Sequence, residues 1–153
     1  MHKPRIYIDT SVIGGCFDEE FQEWSNKLFD LFVSGKLIAM ISDVTTTEIE
    51  PAPDYVKNKI KEIPKNLVEY IDKNDEAESL ASKYIEHHAI SIKYQEDALH
   101  IAMATVNKAD VLVSWNFKHI VNLRRIHIYN SINLMLDYQP LEIRTPREVI
   151  DND

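Results

Sequence analysis

Glycine and cysteine are both scarce in this chain of 153 residues: three glycines, at Gly14, Gly15 and Gly35, and one cysteine, Cys16. Three glycines in those places cannot build a phosphate-cradling loop or a dinucleotide fingerprint, each of which needs several at fixed offsets. One cysteine excludes an internal disulfide and any zinc site made of several thiolates, and suits a reducing compartment. Positive charge is also short, with 17 Lys plus Arg against 25 Asp plus Glu and a formal net charge of −8. Such a chain lacks the broad basic surface of a duplex DNA binder, although a local basic groove can exist inside a negative total. No apolar run is long enough for a membrane span or the core of a signal peptide, which leads us to expect a cytoplasmic protein without membrane attachment. The hydrophobic fraction of 44% suits a globular chain with one core, and the expectation is one domain over 1–150 with a short tail at 151–153.

Three short apolar runs, Arg5 to Ile8, Leu37 to Ile41 and Asp110 to Val113, have the length and composition of strands buried on both faces. Helical spacing lies between them. Phe21, Trp24, Leu28, Phe29 and Phe32 share one helical face ahead of Gly35, a stripe more often core than cofactor site. Helices are expected over Thr45 to Glu50, Asp54 to Ile63, Asp75 to His88, Gln95 to Asn107, with Leu99, Ala102, Met103 and Val106 on its one apolar side, and around Leu123 to Leu136. Asn66 to Ile71 reads as a strand or an extended connection. A last strand is expected at Leu141 to Arg144, and Pro146 stands near the start of a closing helix. Strands alternating with helices favour a parallel sheet covered on both sides, whose functional crevice lies beyond the carboxyl ends of the strands.

That rule selects three acids. Asp9 ends the first apolar run in YIDTSV, Glu48 follows the second in SDVTTTEIE, and Asp97 opens the alanine-bearing helix EDALHIAMA. Each alone is as well explained by a helix cap or by the helix dipole. Together they could converge, and grouped carboxylates raise one another's pKa values, which a divalent cation offsets. An all-oxygen set suits Mg²⁺ or Mn²⁺, whereas zinc would normally take His or Cys.

These segments, with ADVLVSWNFKHI at Ala109 to Ile120 and LEIRTP at Leu141 to Pro146, resemble in content and order the PIN domain, the metal-dependent ribonuclease fold of VapC-type toxins. The resemblance implies a three-layer α/β/α domain with a central, mostly parallel sheet. It matches Asp9, Glu48 and Asp97 to the family's metal-binding acids, and implies Mg²⁺ or Mn²⁺ as cofactor, an RNA substrate, an antitoxin partner and a homodimer. Where the family commonly has a fourth Asp, this chain carries Asn116, an uncharged acceptor through its amide oxygen. That departure keeps a second reading open, a weakened PIN-like module that binds RNA or protein. A phosphatase using Asp9 as nucleophile is a third, and Ser11 in place of a second Asp counts against it.

Around the acids, Thr10 and Ser11 could offer hydroxyls to a carboxylate or a phosphate, or simply cap, and Ser114 could hydrogen-bond within the site. Lys118, Arg124 and Arg125 belong to the densest basic segment, with His119 and His127, and are the candidate phosphate contacts. Trp115 offers a ring for a base or is packed. His100, one turn after Asp97, could approach the site, although a packed histidine is the commoner outcome. His87 and His88 read as surface residues, and Cys16 as a buried thiol.

Overall fold

The computed structural model describes residues 2–150; the tail expected at 151–153 lies outside the described residues. Strand β1, Arg5–Ile8, leads into a short helix α1, Thr10–Gly15, and then α2, Gln22–Val33. Strand β2, Ile38–Ser42, runs straight into α3, Asp43–Ile49, followed by α4, Asp54–Lys57, and β3, Val68–Ile71. Helices α5, Asp75–Glu86, and α6, Gln95–Val106, precede β4, Val111–Val113; α7, Leu123–Met135, β5, Ile143–Arg144, and α8, Pro146–Ile150, complete the order.

All five strands are parallel, in the order β3-β2-β1-β4-β5. Tyr7 pairs with Met40 on one side and Leu112 on the other. Because side chains alternate along a strand, these three face one layer. There they meet Leu80 and Tyr84 of α5, Ile101 and Met103 of α6, and Tyr129 of α7. Ile6, Ile8, Ala39, Ile41 and Val113 point the other way, onto Val12 and Ile13 of α1 and Leu28, Phe29 and Phe32 of α2, beside which α8 packs. The domain is therefore a three-layer α/β/α sandwich around a parallel sheet, as the resemblance implied. The aromatic stripe of α2 is core. No helix among the described residues is long and apolar enough to cross a membrane.

Three expectations change. The helix expected over Asp54 to Ile63 stops at Lys57, where Asn58 donates back to the Asp54 carbonyl, and the chain continues as a 3-10 turn at Ile60–Glu62. The break lets Val56, Ile60 and Ile63 all reach the core. Helix α6 was expected to bury one side, but every residue from Ala98 to Thr105 is buried, because the helix lies between the sheet and its neighbouring helices, where an all-round apolar surface belongs. Helix α1 was not foreseen. Its sequence, TSVIGG, is poor in helix formers, and it persists through the Asp9 cap and the burial of Val12 and Ile13.

Candidate active site

The chain moves outward in one direction from β1 through β2 to β3, and in the other from β4 to β5. Between β1 and β4 the direction reverses, and a sheet of this kind opens a crevice there, beyond the carboxyl ends. Asp9 directly follows β1 and Ser114 directly follows β4. Their side chains meet across the switch point, Ser114 Oγ donating to Asp9 Oδ2 at 2.6 Å. Ser11 Oγ donates to the other oxygen, Oδ1, at 2.6 Å, and the Val12 amide also reaches Oδ1 at 3.3 Å. Each serine hydroxyl is aimed by a backbone amide that it accepts from: Asn116 N donates to Ser114 Oγ at 2.9 Å, and Trp115 N to Ser11 Oγ at 2.9 Å. The hydroxyl protons are thereby directed at the carboxylate, whose orientation is fixed in advance of any ligand.

Among the described residues, no cation pairs directly with Asp9, which is only 4% exposed. Burial pushes its carboxyl above the ordinary range, against the pull of His100 and the two serines.

Glu48, in the second turn of α3, accepts from Thr10 Oγ1 at 2.9 Å and from His100 Nε2 at 2.5 Å. His100 is buried, and its Nδ1 lies 2.7 Å from the Tyr7 hydroxyl, which lies 2.6 Å from Ser42 Oγ. With Nε2 donating to a carboxylate, the neutral ring accepts at Nδ1 from Tyr7, and the protonated ring donates there; the Tyr7 hydroxyl can turn to serve either. Burial opposes a charge on His100, but the Glu48 hydrogen bond and the charges of Asp9, Glu48 and Asp97 outweigh it and raise its pKa. Burial likewise opposes the Glu48 charge, and its bond to His100 reverses the balance, holding that carboxyl low.

Asp97, the third residue of α6, accepts from Asn116 Nδ2 at 3.3 Å. Burial raises its pKa, His100 lowers it, and the charges of Asp9 and Glu48 raise it further. The three acids expected to converge are thus close enough to feel one another, with His100 among them. Asn116 does not present its amide oxygen as the sequence suggested. That oxygen takes the backbone amides of Lys118 at 3.2 Å and His119 at 2.9 Å, which turns the nitrogen toward Asp97. Two backbone donors on one atom fix the orientation of the amide.

Among the described residues, no three His, Cys, Asp or Glu side chains stand in a ready-made ligand arrangement for a metal. The donor chemistry nevertheless fits a hard divalent cation. The facing groups are carboxylate oxygens, and burial raises Asp9 and Asp97, a condition that a bound cation relieves.

The remaining candidates separate. Thr10 and Ser114 lie in the site as hydroxyl donors to Glu48 and Asp9. Lys118 and Arg124 are exposed, whereas Arg125 donates to the Ala89 carbonyl at 2.7 Å and ties down the loop before α6. Trp115 is packed: its ring stacks on Phe21 and its Nε1 donates to Ser25. His87 and His88 are exposed, and the buried Cys16 thiol is pushed up to about 12 by burial. Tyr7 and Ser42 escaped the sequence reading. Their signal was faint, a tyrosine inside an apolar strand whose hydroxyl has to find a partner.

An α/β/α domain of strand order 3-2-1-4-5 with carboxylates gathered at its switch point is the class that fold and site define together. A family model described as PIN domain matches residues 5–118. The chain belongs to the PIN domain family. No curated protein matched its sequence. Among solved structures, a chain in the crystal structure of VapBC2 from Rickettsia felis, bound to a DNA fragment from the promoter, is similar. Its TM-score is 0.58 at 15% identity, over 92% of this chain and 98% of that one. A chain of FitAcB from Neisseria gonorrhoeae is similar at TM-score 0.56 and 13% identity, over 92% and 97%. At these identities the likeness is one of fold.

Proposed function

We propose that this protein is a metal-dependent endoribonuclease that hydrolyses RNA phosphodiester bonds, the toxin of a toxin-antitoxin pair. The observation that carries the reading is the buried Asp9 carboxylate, oriented by Ser11 and Ser114 at the switch point of a PIN domain, with the charges of Asp9 and Glu48 both acting on Asp97. Asp9 and Asp97 would hold Mg²⁺ or Mn²⁺, with Glu48 completing the shell or orienting water. A divalent ion so placed supplies an acidified water and offsets charge on a phosphate.

The chain's own residues prepare that setting. Ser11 and Ser114 keep both Asp9 oxygens in one orientation, and Thr10 and His100 do the same for one oxygen of Glu48. Asn116 steadies Asp97 through its amide nitrogen. Lys118, Arg124 and Arg125 are the residues we assign to phosphates of the substrate, as a locally basic segment in an acidic chain. An antitoxin is the partner we infer by likeness to chains from the VapBC2 and FitAcB complexes, and co-purification with the product of a neighbouring small open reading frame tests it.

Asn116 also favours a second reading, a PIN domain that binds RNA or protein without cutting. Where a carboxylate could ligate, this chain puts an amide N–H. One experiment separates the two: unstructured and structured RNA incubated with and without Mg²⁺ or Mn²⁺, comparing the wild type with Asp9→Asn. Cleavage that needs the ion and disappears in Asp9→Asn is expected. RNA bound but left intact by the wild type at every ion concentration would establish the second reading.

A further inference from the structure

The turn that closes the site also carries an exposed aromatic ring. Phe117 is 52% exposed, although it immediately follows Asn116, the residue bonded to Asp97, and stands three positions after Ser114, the residue bonded to Asp9. It is not a loose loop residue. The Asn116 side chain accepts the amides of Lys118 and His119, and the Asn116 carbonyl accepts those of Ile120 and Val121 at 3.2 and 2.8 Å. Under Phe117 lies an aromatic base: its ring centroid is 6.3 Å from that of Phe21 and 6.2 Å from that of Trp115, and Phe21 and Trp115 stack at 4.3 Å. Trp115 is locked in turn by its bond to Ser25, at a place where only glycine fits. A Cβ on Gly15 would come within 2.8 Å of Trp115 Nε1 and 2.6 Å of Ser25 Oγ.

Cations lie on the same turn and beside it. Lys118 follows Phe117, and its Nζ stands 5.9 Å from the centre of the Tyr94 ring; Lys93 Nζ stands 5.7 Å from that ring. Tyr94 directly precedes α6, the helix that carries Asp97. Among the described residues, neither lysine enters an ion pair. A preset exposed ring with unpaired ammonium groups nearby, next to carboxylates, complements an unpaired nucleobase and its neighbouring phosphates. Duplex RNA offers no free base face to such a ring.

We propose that Phe117 is a specificity-determining residue that stacks on an unpaired base beside the scissile phosphodiester, with Lys93 and Lys118 taking adjacent phosphates. The proposal rests on the ribonuclease reading above, and its test separates the two.

The probes are an unstructured oligoribonucleotide, the same oligonucleotide carrying single abasic positions, and the same sequence annealed to its complement, all with the full chain. Ion-dependent cleavage of the unstructured RNA by the wild type checks the underlying reading. With the wild type, one abasic position near the cut is expected to raise KM about tenfold, the size of one base–aromatic contact, and this needs no variant to fold. Phe117→Ala is expected to raise KM for intact RNA by about the same factor with kcat held within about twofold, and to make intact and abasic RNA equivalent. Phe117→Trp restores the difference. Tyr70→Ala, which removes a 65% exposed ring on the edge strand β3, leaves KM alone. Lys93→Ala and Lys118→Ala should each lower the slope of log affinity against log salt by about 1. A wild type that cuts RNA with no abasic penalty, or a Phe117→Ala variant with unchanged KM, would overturn this proposal and leave the nuclease reading standing. A wild type that neither cuts nor binds RNA would overturn both.

Discussion

Asp9 and Asp110 lie at opposite ends of the neighbouring strands β1 and β4, and the sheet treats them in opposite ways. Asp110, just before β4, is exposed and accepts from the Arg5 amide at 2.7 Å and lies 3.0 Å from His2 Nε2. Some burial works against its charge, but these donors outweigh it and hold its carboxyl low. Asp9, just after β1, is buried among hydroxyls, and its pKa is raised. The same residue type is a structural tie at the amino edge and a poised, under-compensated charge at the carboxyl edge. Carboxylates whose pKa is raised by burial and neighbouring charge cluster at functional sites, and structural ion-pair networks can perturb a pKa as well.

The largest expected effect comes from exchanging each acid for its amide. Asp9→Asn is expected to bring ion-dependent RNA cleavage to background while the thermal midpoint in EDTA stays within a few degrees. Asp110→Asn keeps an oxygen for the Arg5 amide and is expected to leave cleavage unchanged. Full activity in purified Asp9→Asn would remove the proposed mechanism.

The next effect concerns stability and falls on Tyr7 of β1. Tyr7→Phe keeps the ring but takes away the hydroxyl between His100 and Ser42, all of it buried. Two buried polar atoms lose a partner, and a loss of about 1–3 kcal/mol is expected in denaturant titration. His100 also loses one of its anchors, so activity should fall in the same variant at temperatures where it remains folded. Stability equal to wild type would mean that the network does not hold His100.

Much of this arrangement could be read from residue order, and the unread parts share a cause. The strands at Arg5 to Ile8 and Val111 to Val113 announce themselves as apolar runs, and the acids follow from the rule about strand ends. Asp9 satisfies both roles open to it, since it caps α1 and stands at the crevice. Asn116 and Tyr7 were illegible in the details that matter. The direction of an amide and the partner of a buried hydroxyl are settled by backbone groups and side chains far away in sequence, such as His100 for Tyr7. Spacing along the chain has no access to such contacts. The divided segment after Asp54 failed for a related reason, as packing on the sheet overrode a helical pattern.

Stability against pH distinguishes the edges more finely. His100 has a folded pKa above its ordinary 6.5, so its stabilising contribution is complete below that value and is lost as pH rises through the folded pKa. Asp9 and Asp97, raised by burial, act in the same direction: their contribution is present below the ordinary carboxylate range and lost as pH rises through their folded values. Glu48 and Asp110, both held low, contribute above their ordinary values and lose that contribution only in acid. In EDTA the midpoint should therefore fall as pH rises from about 6.5, by roughly 2–4 °C for each kcal/mol lost. His100→Gln should flatten that decline, and Asp110→Asn should leave it. A midpoint that rises over this range in EDTA would mean that the carboxylates around His100 do not raise its pKa in the folded protein.

The smallest effect lies at the amino edge. Arg5 forks onto Glu69, Nε to Oε1 at 2.9 Å and Nη2 to Oε2 at 2.8 Å, with side chains 26% and 39% exposed. The fork is well formed, but water reaches both groups, and an exposed pair of this kind couples by about 1 kcal/mol or less and weakens with salt. A double-mutant cycle of Arg5→Ala and Glu69→Ala should give a coupling of that size that shrinks in 1 M salt. The corresponding cycle of Tyr7→Phe and His100→Gln should be larger and insensitive to salt, because its atoms are buried. Equal couplings with equal salt dependence would mean that burial does not distinguish the two ends of β1, and the carboxyl edge would lose the physical basis of its distinction.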